Sequence, residues 1–332
     1  MPRISSRKKA TIKDVARQAG VSVGTVSRVI NDKEGTRPST KGKVLKAMEE
    51  LNYQPEVAAR ELSFGSGTLI GINEIIMGSS HHLKGPFYNR FFLTMLEEAF
   101  KCGFRVREIP ASDNGMPSFL PDAMVILGAH DADPRLEYLE EAGVPFVLIG
   151  RGLYSSWVTG DDVSGGYQAG KHLLKLGHRD ILHFTSHMTG QVAQDRYKGF
   201  LQALGEAGVP HRPEFLVSEL FTPLDSYRAM RQYLDEKGRI FSAVFAGSDE
   251  IAQGVRTALE DSGISVPGDI SIVGYDDLPE IAYDLTTVHQ DIPLLASSAL
   301  SILKDLLAGG ESRSELMPVQ LIARKTTARK RD

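Results

Sequence analysis

In the second half of the 21 residues from Thr11 to Asn31, TIKDVARQAGVSVGTVSRVIN, hydroxyls, Gly24 and the guanidinium of Arg28 fall at spacings that line one side of a short helix. Val23, Gly24, Ser27 and Arg28 fall on that side, whereas Val26, Val29 and Ile30 fall on the other. Arginine can donate two hydrogen bonds to guanine or hold a phosphate. Valine can touch a thymine methyl, and the hydroxyls of Ser22, Thr25 and Ser27 can bond phosphate oxygens. Gly24 offers no side chain at all. Together these groups suit recognition of a duplex through its major groove.

To present that face, the chain needs two short helices joined by a tight turn. Thr11 can cap the first through its hydroxyl, Asp14 favours the positive helix end, and Ile12, Val15, Ala16 and Ala19 recur on one face. Gly20 supplies the turn and Ser22 caps the second helix, whose apolar side packs back on the first. Ser39 after Pro38, then Val44, Ala47, Met48 and Leu51 at helical spacing, signal a third helix that closes the headpiece. Asn52-Tyr53-Gln54-Pro55 interrupts the pattern. Glu56 to Leu62, EVAAREL, is too short to be a stable helix alone and can order only against a partner, which makes it a hinge before Ser63-Phe64-Gly65-Ser66-Gly67.

The charge distribution agrees. Residues 1–64 carry 13 Lys and Arg against 7 Asp and Glu, so the formal net charge of −4 hides a basic head on an acidic body. Such a head neutralises phosphates and releases counterions, while the body is repelled by the duplex. A chain of 332 residues with 42% hydrophobic and 24% charged residues reads as ordinary globular protein in two or three units. A single cysteine, Cys102, excludes an intramolecular disulfide and any multi-cysteine zinc site. No apolar run approaches a membrane span, and the opening MPRISSRKKA lacks the apolar core of a secretory signal, so a cytoplasmic location is expected.

From Thr68 the pattern changes to apolar runs alternating with amphipathic helices. Strands are expected at Leu69 to Ile76, Arg105 to Ile109, Ala123 to Leu127, Pro145 to Ile149, Ile181 to Phe184, Ala243 to Ala246 and Ile270 to Gly274. Alternation over about 265 residues implies two doubly wound parallel-sheet subdomains, with ligands at the carboxyl ends of the strands. Enzymatic readings fare worse. Gly65-Ser66-Gly67 precedes a strand where a nucleotide loop would follow one, His81-His82 lack metal-ligand spacing, and the adjacent Asp276-Asp277 diverge at a strand end. No cofactor, metal or catalytic group is expected.

The headpiece, the hinge segment and the later motifs ISIVGYDD (Ile270 to Asp277), LTTVHQD (Leu285 to Asp291) and PVQLIARKTT (Pro318 to Thr327) resemble the lactose-repressor (LacI/GalR) family of bacterial transcription regulators across essentially the whole chain. The resemblance implies a headpiece at 1–54, a hinge and linker at 55–67, and a core at 68–328 resembling periplasmic sugar-binding proteins. Within the core, one subdomain would take about 68–176 and 290–317, and the other about 177–289 and 318–328. It implies palindromic operator DNA, a homodimer or tetramer, and an allosteric effector, a carbohydrate by expectation. A purine or nucleoside, or a phosphorylated carrier protein, is the alternative effector, and a carbohydrate-binding transport protein the remote one.

Carried over by position, the DNA-facing set is Thr11, Ser22, Val23, Gly24, Thr25, Ser27, Arg28, Asn31, Tyr53, Ala59 and Leu62, with Leu62 wedging into the minor groove. The effector-facing set is Phe87, Asp161, Arg196, Phe221, Asp249, Asp276 and Gln290. Four departures stand out. Ser248 and Asp162 replace asparagines of the family pattern. Between the second and third core strands only Pro110 to Asp122 is available, with prolines at 110, 117 and 121, so the crossover helix gives way to coil and one sheet face is either thinly covered or covered by something else. Ile75 to Phe87 is longer than usual.

Overall fold

The computed structural model describes residues 12–30, 37–51, 68–74, 85–112, 115–130, 133–152 and 156–331, apart from the side chains of residues 12, 27, 28, 30 and 74. Thr11, Asn31, Tyr53, Ala59, Leu62 and the hinge segment 55–67 lie outside the described residues, as do residues 75–84. The chain divides into two compact units at Gly67 and Thr68.

The first unit contains α1 (Ile12–Ala19), α2 (Val23–Ile30) and α3 (Pro38–Glu50). Gly20, at φ 66°, makes the expected turn, and the amide of Val21 closes α1 by donating to the Ala16 carbonyl at 3.0 Å. Ser22 accepts from the Thr25 amide at 3.1 Å, the anticipated cap of α2. Val15, Ala16, Val26, Val29, Val44 and Ala47 are buried together, with Ala19, Met48 and Leu51 packed around them. Ser39 is not the start of the third helix: Pro38 itself occupies the first position, where its fixed φ is already helical, and Arg37 precedes it without a side-chain cap.

The second unit is built on two six-stranded sheets. β1 (Leu69–Glu74), β2 (Arg105–Glu108), β3 (Ala123–Leu127), β4 (Phe146–Ile149), β5 (Trp157–Gly160) and β11 (Ser314–Met317) pair in the order 11-5-4-3-1-2, all in parallel. β6 (Ile181–Phe184), β7 (Leu216–Val217), β8 (Ala243–Ala246), β9 (Ser271–Asp276), β10 (Thr286–His289) and β12 (Gln320–Ile322) pair in the order 12-10-9-8-6-7, antiparallel only between β10 and β12. The helices are α4 (Pro86–Lys101), α5 (Pro134–Glu141), α6 (Asp162–Lys175), α7 (Gln191–Glu206), α8 (Pro223–Lys237), α9 (Asp249–Asp261) and α10 (Ile292–Leu307). The chain passes between the lobes after β5, after β10 and after β11.

The first crossing lies at Asp161, about fifteen residues before the boundary expected near residue 176. Ala169 and Leu173 of α6 pack with Phe200, Phe245, Val273 and Val288 of the second lobe. Glycines allow α6 and α7 to touch backbone to backbone: a Cβ on Gly166 would collide with the Arg196 carbonyl, and one on Gly199 with that of Val163. Sequence reasoning credited α6 to the first lobe because it follows that lobe's strands, but its apolar face belongs to the second.

The described residues of the stretch after β2 contain no helix, as its prolines demand. The exposed face is covered instead by Ile109 and Phe119, buried against Met124, Ile126, Leu148 and the α5 residues Leu136 and Leu139. Asp122 fixes the end of this coil by accepting from the Leu69 amide at 2.8 Å. Asn73 anchors its start, donating to the Ile109 carbonyl at 2.6 Å, and accepts in turn from buried Arg135 at 2.8 Å.

Candidate functional site

On α2 the first turn faces solvent. Val23 is 41% exposed, Gly24 is exposed, and the Thr25 hydroxyl stands 2.9 Å from that of Ser22. The Ser27 and Arg28 side chains lie outside the described residues. Among the described residues nothing requires a glycine at position 24. Its φ is not left-handed, and only the Ser22 Oγ, at 3.8 Å, would come near an added Cβ.

In the second unit, residues that follow strand ends converge beside the first and second crossings. Arg196, brought against α6 by the Gly166–Gly199 contact, donates from Nε to Asp162 Oδ1 at 2.8 Å and from a terminal nitrogen to the Gly247 carbonyl at 2.5 Å. Its other terminal nitrogen stands 3.6 Å from Asp276, and its guanidinium lies over the Tyr275 ring at 3.6 Å. Gln290 donates to Asp276 at 2.6 Å, and Thr159 donates to Asp162 at 3.1 Å. All of these residues, Gly247 included, are buried.

One guanidinium faces two carboxylates here, so the cluster carries one excess negative charge. Burial works against the Arg196 cation, but Asp162 and Asp276 outweigh it and its pKa is raised. Asp276 shows the reverse balance: burial pushes its carboxyl up to about 6, against the opposing pull of Arg196 and Gln290.

The expected effector residues separate into groups. Arg196, Asp276 and Gln290 meet. Asp161 caps α6 by accepting from the Ser164 amide at 3.0 Å, and its neighbour Asp162 takes the place beside Arg196. Phe87 packs against the core of the first lobe. Phe221 lines a cavity of about 150 Å³ between the lobes, together with His130, Ile149, Arg151, His187 and Val192. Asp249 is fully buried with both oxygens bonded to protein donors, which removes it from any ligand surface.

Sequence reasoning missed Asp162 as a partner, along with Arg151 and Asp195. Arg151, just after β4, places one terminal nitrogen 2.7 Å from both oxygens of Asp195 on α7, tying the lobes together at the cavity. Backbone pairing of His130 with Gly190 adds a second tie. For Asp162 a signal existed. A carboxylate in place of an amide at a strand end needs a buried cation, and Arg196 was available. Among the described residues no cluster could hold a metal ion, and no helix is long and apolar enough to cross a membrane.

Comparisons with known proteins place these features in a family. Residues 11–56 match the model for bacterial regulatory proteins of the lacI family, and residues 171–327 match a periplasmic binding protein-like domain. The HTH-type transcriptional repressor PurR of Erwinia tasmaniensis is 33% identical, over 96% of this chain and 97% of the relative. PurR of Yersinia pestis is 32% identical over the same shares. A transcriptional regulator CelR in complex with cellobiose superposes with a TM-score of 0.71 at 29% identity, covering 96% of this chain and 99% of that one. The lac repressor dimer bound to operator and the anti-inducer ONPF gives 0.66 at 26%, covering 97% and 100%. With a helix-turn-helix head, a two-lobed core and whole-length relatives that are transcriptional repressors, the chain belongs to the LacI family of bacterial regulatory proteins.

Proposed function

We propose that the chain represses genes of carbohydrate use by binding a palindromic operator as a homodimer, and that a small polyhydroxylated effector in the interlobe cleft controls it. The observation that carries this reading is the buried group of Arg196, Asp162, Asp276 and Gln290 beside the first and second crossings. Carboxylates that accept from hydroxyls and a guanidinium that donates in pairs suit a sugar. Their position beside the crossings means that a ligand engaging them favours one lobe angle over another, which is what allosteric control requires.

Val23, Gly24 and Thr25 at the start of α2 support base and phosphate contact by Val23 and Gly24, and by Thr25 and Ser22, respectively. Arg28 supplies the guanine-reading donor. Dimerisation is supported by α4, on which Leu93, Leu96 and Phe100 stand exposed at spacings of three and four residues. In this reading the chain acts by binding.

A purine or nucleoside effector is a second reading. The flat Phe221 ring, with Ile149, Val192 and His187 around a cavity of one-ring size, favours it. Thermal-shift measurements with sugars, sugar phosphates and nucleobases decide between them, because a ligand of the folded state raises the midpoint by mass action. A midpoint that rises only with nucleobases replaces the sugar reading.

A further inference from the structure

Asp249 opens α9 and is fully buried, with both carboxylate oxygens used inside the protein. The Thr287 hydroxyl donates to Oδ1 at 2.6 Å, and the Leu278 amide donates to Oδ2 at 2.8 Å. Strand β9 makes room for this carboxylate with a glycine, since a Cβ on Gly274 would collide with Oδ1. Directly before Leu278 come two consecutive non-glycine residues with positive φ, Asp276 at 109° and Asp277 at 60°.

Side chains with a Cβ avoid that backbone region, so the turn must be held from outside. Asp277 is held by Arg324 at 2.7 Å and His289 at 3.0 Å. Asp276 is held by Gln290, and the amide that follows the pair is held by Asp249. Leu278 then sends its side chain into the core of the first lobe, among Ile292, Leu295 and Tyr88. A carboxylate rooted in the second lobe therefore fixes the backbone of a residue embedded in the first.

We propose that Asp249 is a positioning residue for the effector response: it keeps Asp276 turned toward Gln290 and Arg196, and it ties that turn to the opposite lobe. The inference rests on the reading of Asp276 as an effector contact. Without the Asp249 carboxylate, the turn relaxes toward right-handed backbone and the Asp276 carboxylate leaves Gln290. Asp249 itself touches no ligand.

The test uses the full chain as Asp249→Ala, Asp249→Asn and Thr287→Val, with crystal structures for the backbone and calorimetric titration with ribose, cellobiose and guanine. In Asp249→Ala, Asp276 and Asp277 leave positive φ, and Kd for whichever probe the wild type binds rises at least about tenfold. Asp249→Asn keeps an acceptor oxygen for Leu278 and recovers most of that loss. A purely structural role lowers the thermal midpoint while leaving both the φ of Asp276 and Kd of the folded protein unchanged, and that result overturns the proposal. Should Asp249→Ala not fold, Thr287→Val decides by the same readouts at smaller amplitude, because it frees Oδ1 and so loosens the carboxylate that accepts from the Leu278 amide. If the wild type binds none of the probes, the cleft reading fails, while the φ of Asp276 in the variants still decides this one.

Discussion

Arg196 and Asp162 are joined by a buried bond of 2.8 Å although they sit on different helices, and the helices meet closely enough only because Gly166 and Gly199 face each other's neighbours. The pair links the entrance of the second lobe to the helix that lines the interlobe cavity. It also leaves Asp276 as the second anion on one cation. Removing the nearer partner therefore changes both stability and the charge of the site.

Asp162→Ala should destabilise the core by about 2–4 kcal/mol, short of the full penalty for orphaning a buried cation because Asp276 remains 3.6 Å away. Asp162→Asn should cost less. Urea denaturation followed by the fluorescence of Trp157, the one tryptophan, measures it. A loss below about 0.5 kcal/mol for the alanine variant contradicts the assigned pairing.

Asp276 makes stability depend on pH in an unusual direction. Its folded pKa of about 6 lies above the ordinary carboxylate value, so the folded state holds a proton that the unfolded state releases. The contribution is complete below about pH 4 and is lost as pH rises through about 6, on the order of 2–3 kcal/mol. Asp276→Asn reduces this slope without abolishing it, because burial and the neighbouring Asp276 also hold the Asp249 carboxyl well above its ordinary value. Equal slopes for wild type and variant between pH 4 and 7 would show that another group titrates.

A glycine inside a helix costs about 1 kcal/mol relative to alanine, and nothing among the described residues of the headpiece requires one at position 24. Gly24→Ala should raise headpiece stability by about 0.5–1 kcal/mol while weakening operator binding by about 1–3 kcal/mol, because a methyl group intrudes where α2 approaches the bases. Circular dichroism melting and fluorescence anisotropy supply the two numbers. Tighter melting with unchanged operator affinity would move the reading face elsewhere.

Phe100 is 84% exposed and continues the Leu93 and Leu96 face of α4. Phe100→Lys should shift sedimentation from dimer toward monomer and lower affinity for a palindrome more than for a half-site. A variant that remains dimeric at low micromolar concentration rejects this face as the interface.

The headpiece was legible because local signals suffice there: a cap at Ser22, a turn at Gly20 and apolar spacing on three short helices. The parallel strands rich in Val, Ile, Leu and Phe were legible for the same reason. Short strands such as β5, β7, β11 and β12 were not, since edge pairing and lobe crossings depend on partners far away in sequence. The lobe membership of α6 was hidden because it rests on glycine contacts with α7. At the site, the resemblance supplied Arg196, Asp276 and Gln290, but only packing distinguishes a ligand-facing carboxylate from one used internally, as with Asp249 and Asp161. Asp162 looked like a lost amide and is the principal partner of Arg196.

The most direct measurement of the whole account is fluorescence anisotropy of selected palindromic duplexes with the full chain, across a salt series, with and without a ligand found by thermal shift. The account predicts sequence-specific binding that weakens steeply with salt and a Kd that shifts about tenfold or more when the ligand is present. A protein that binds no palindrome at low ionic strength, or whose operator affinity is indifferent to every ligand its core binds, contradicts it.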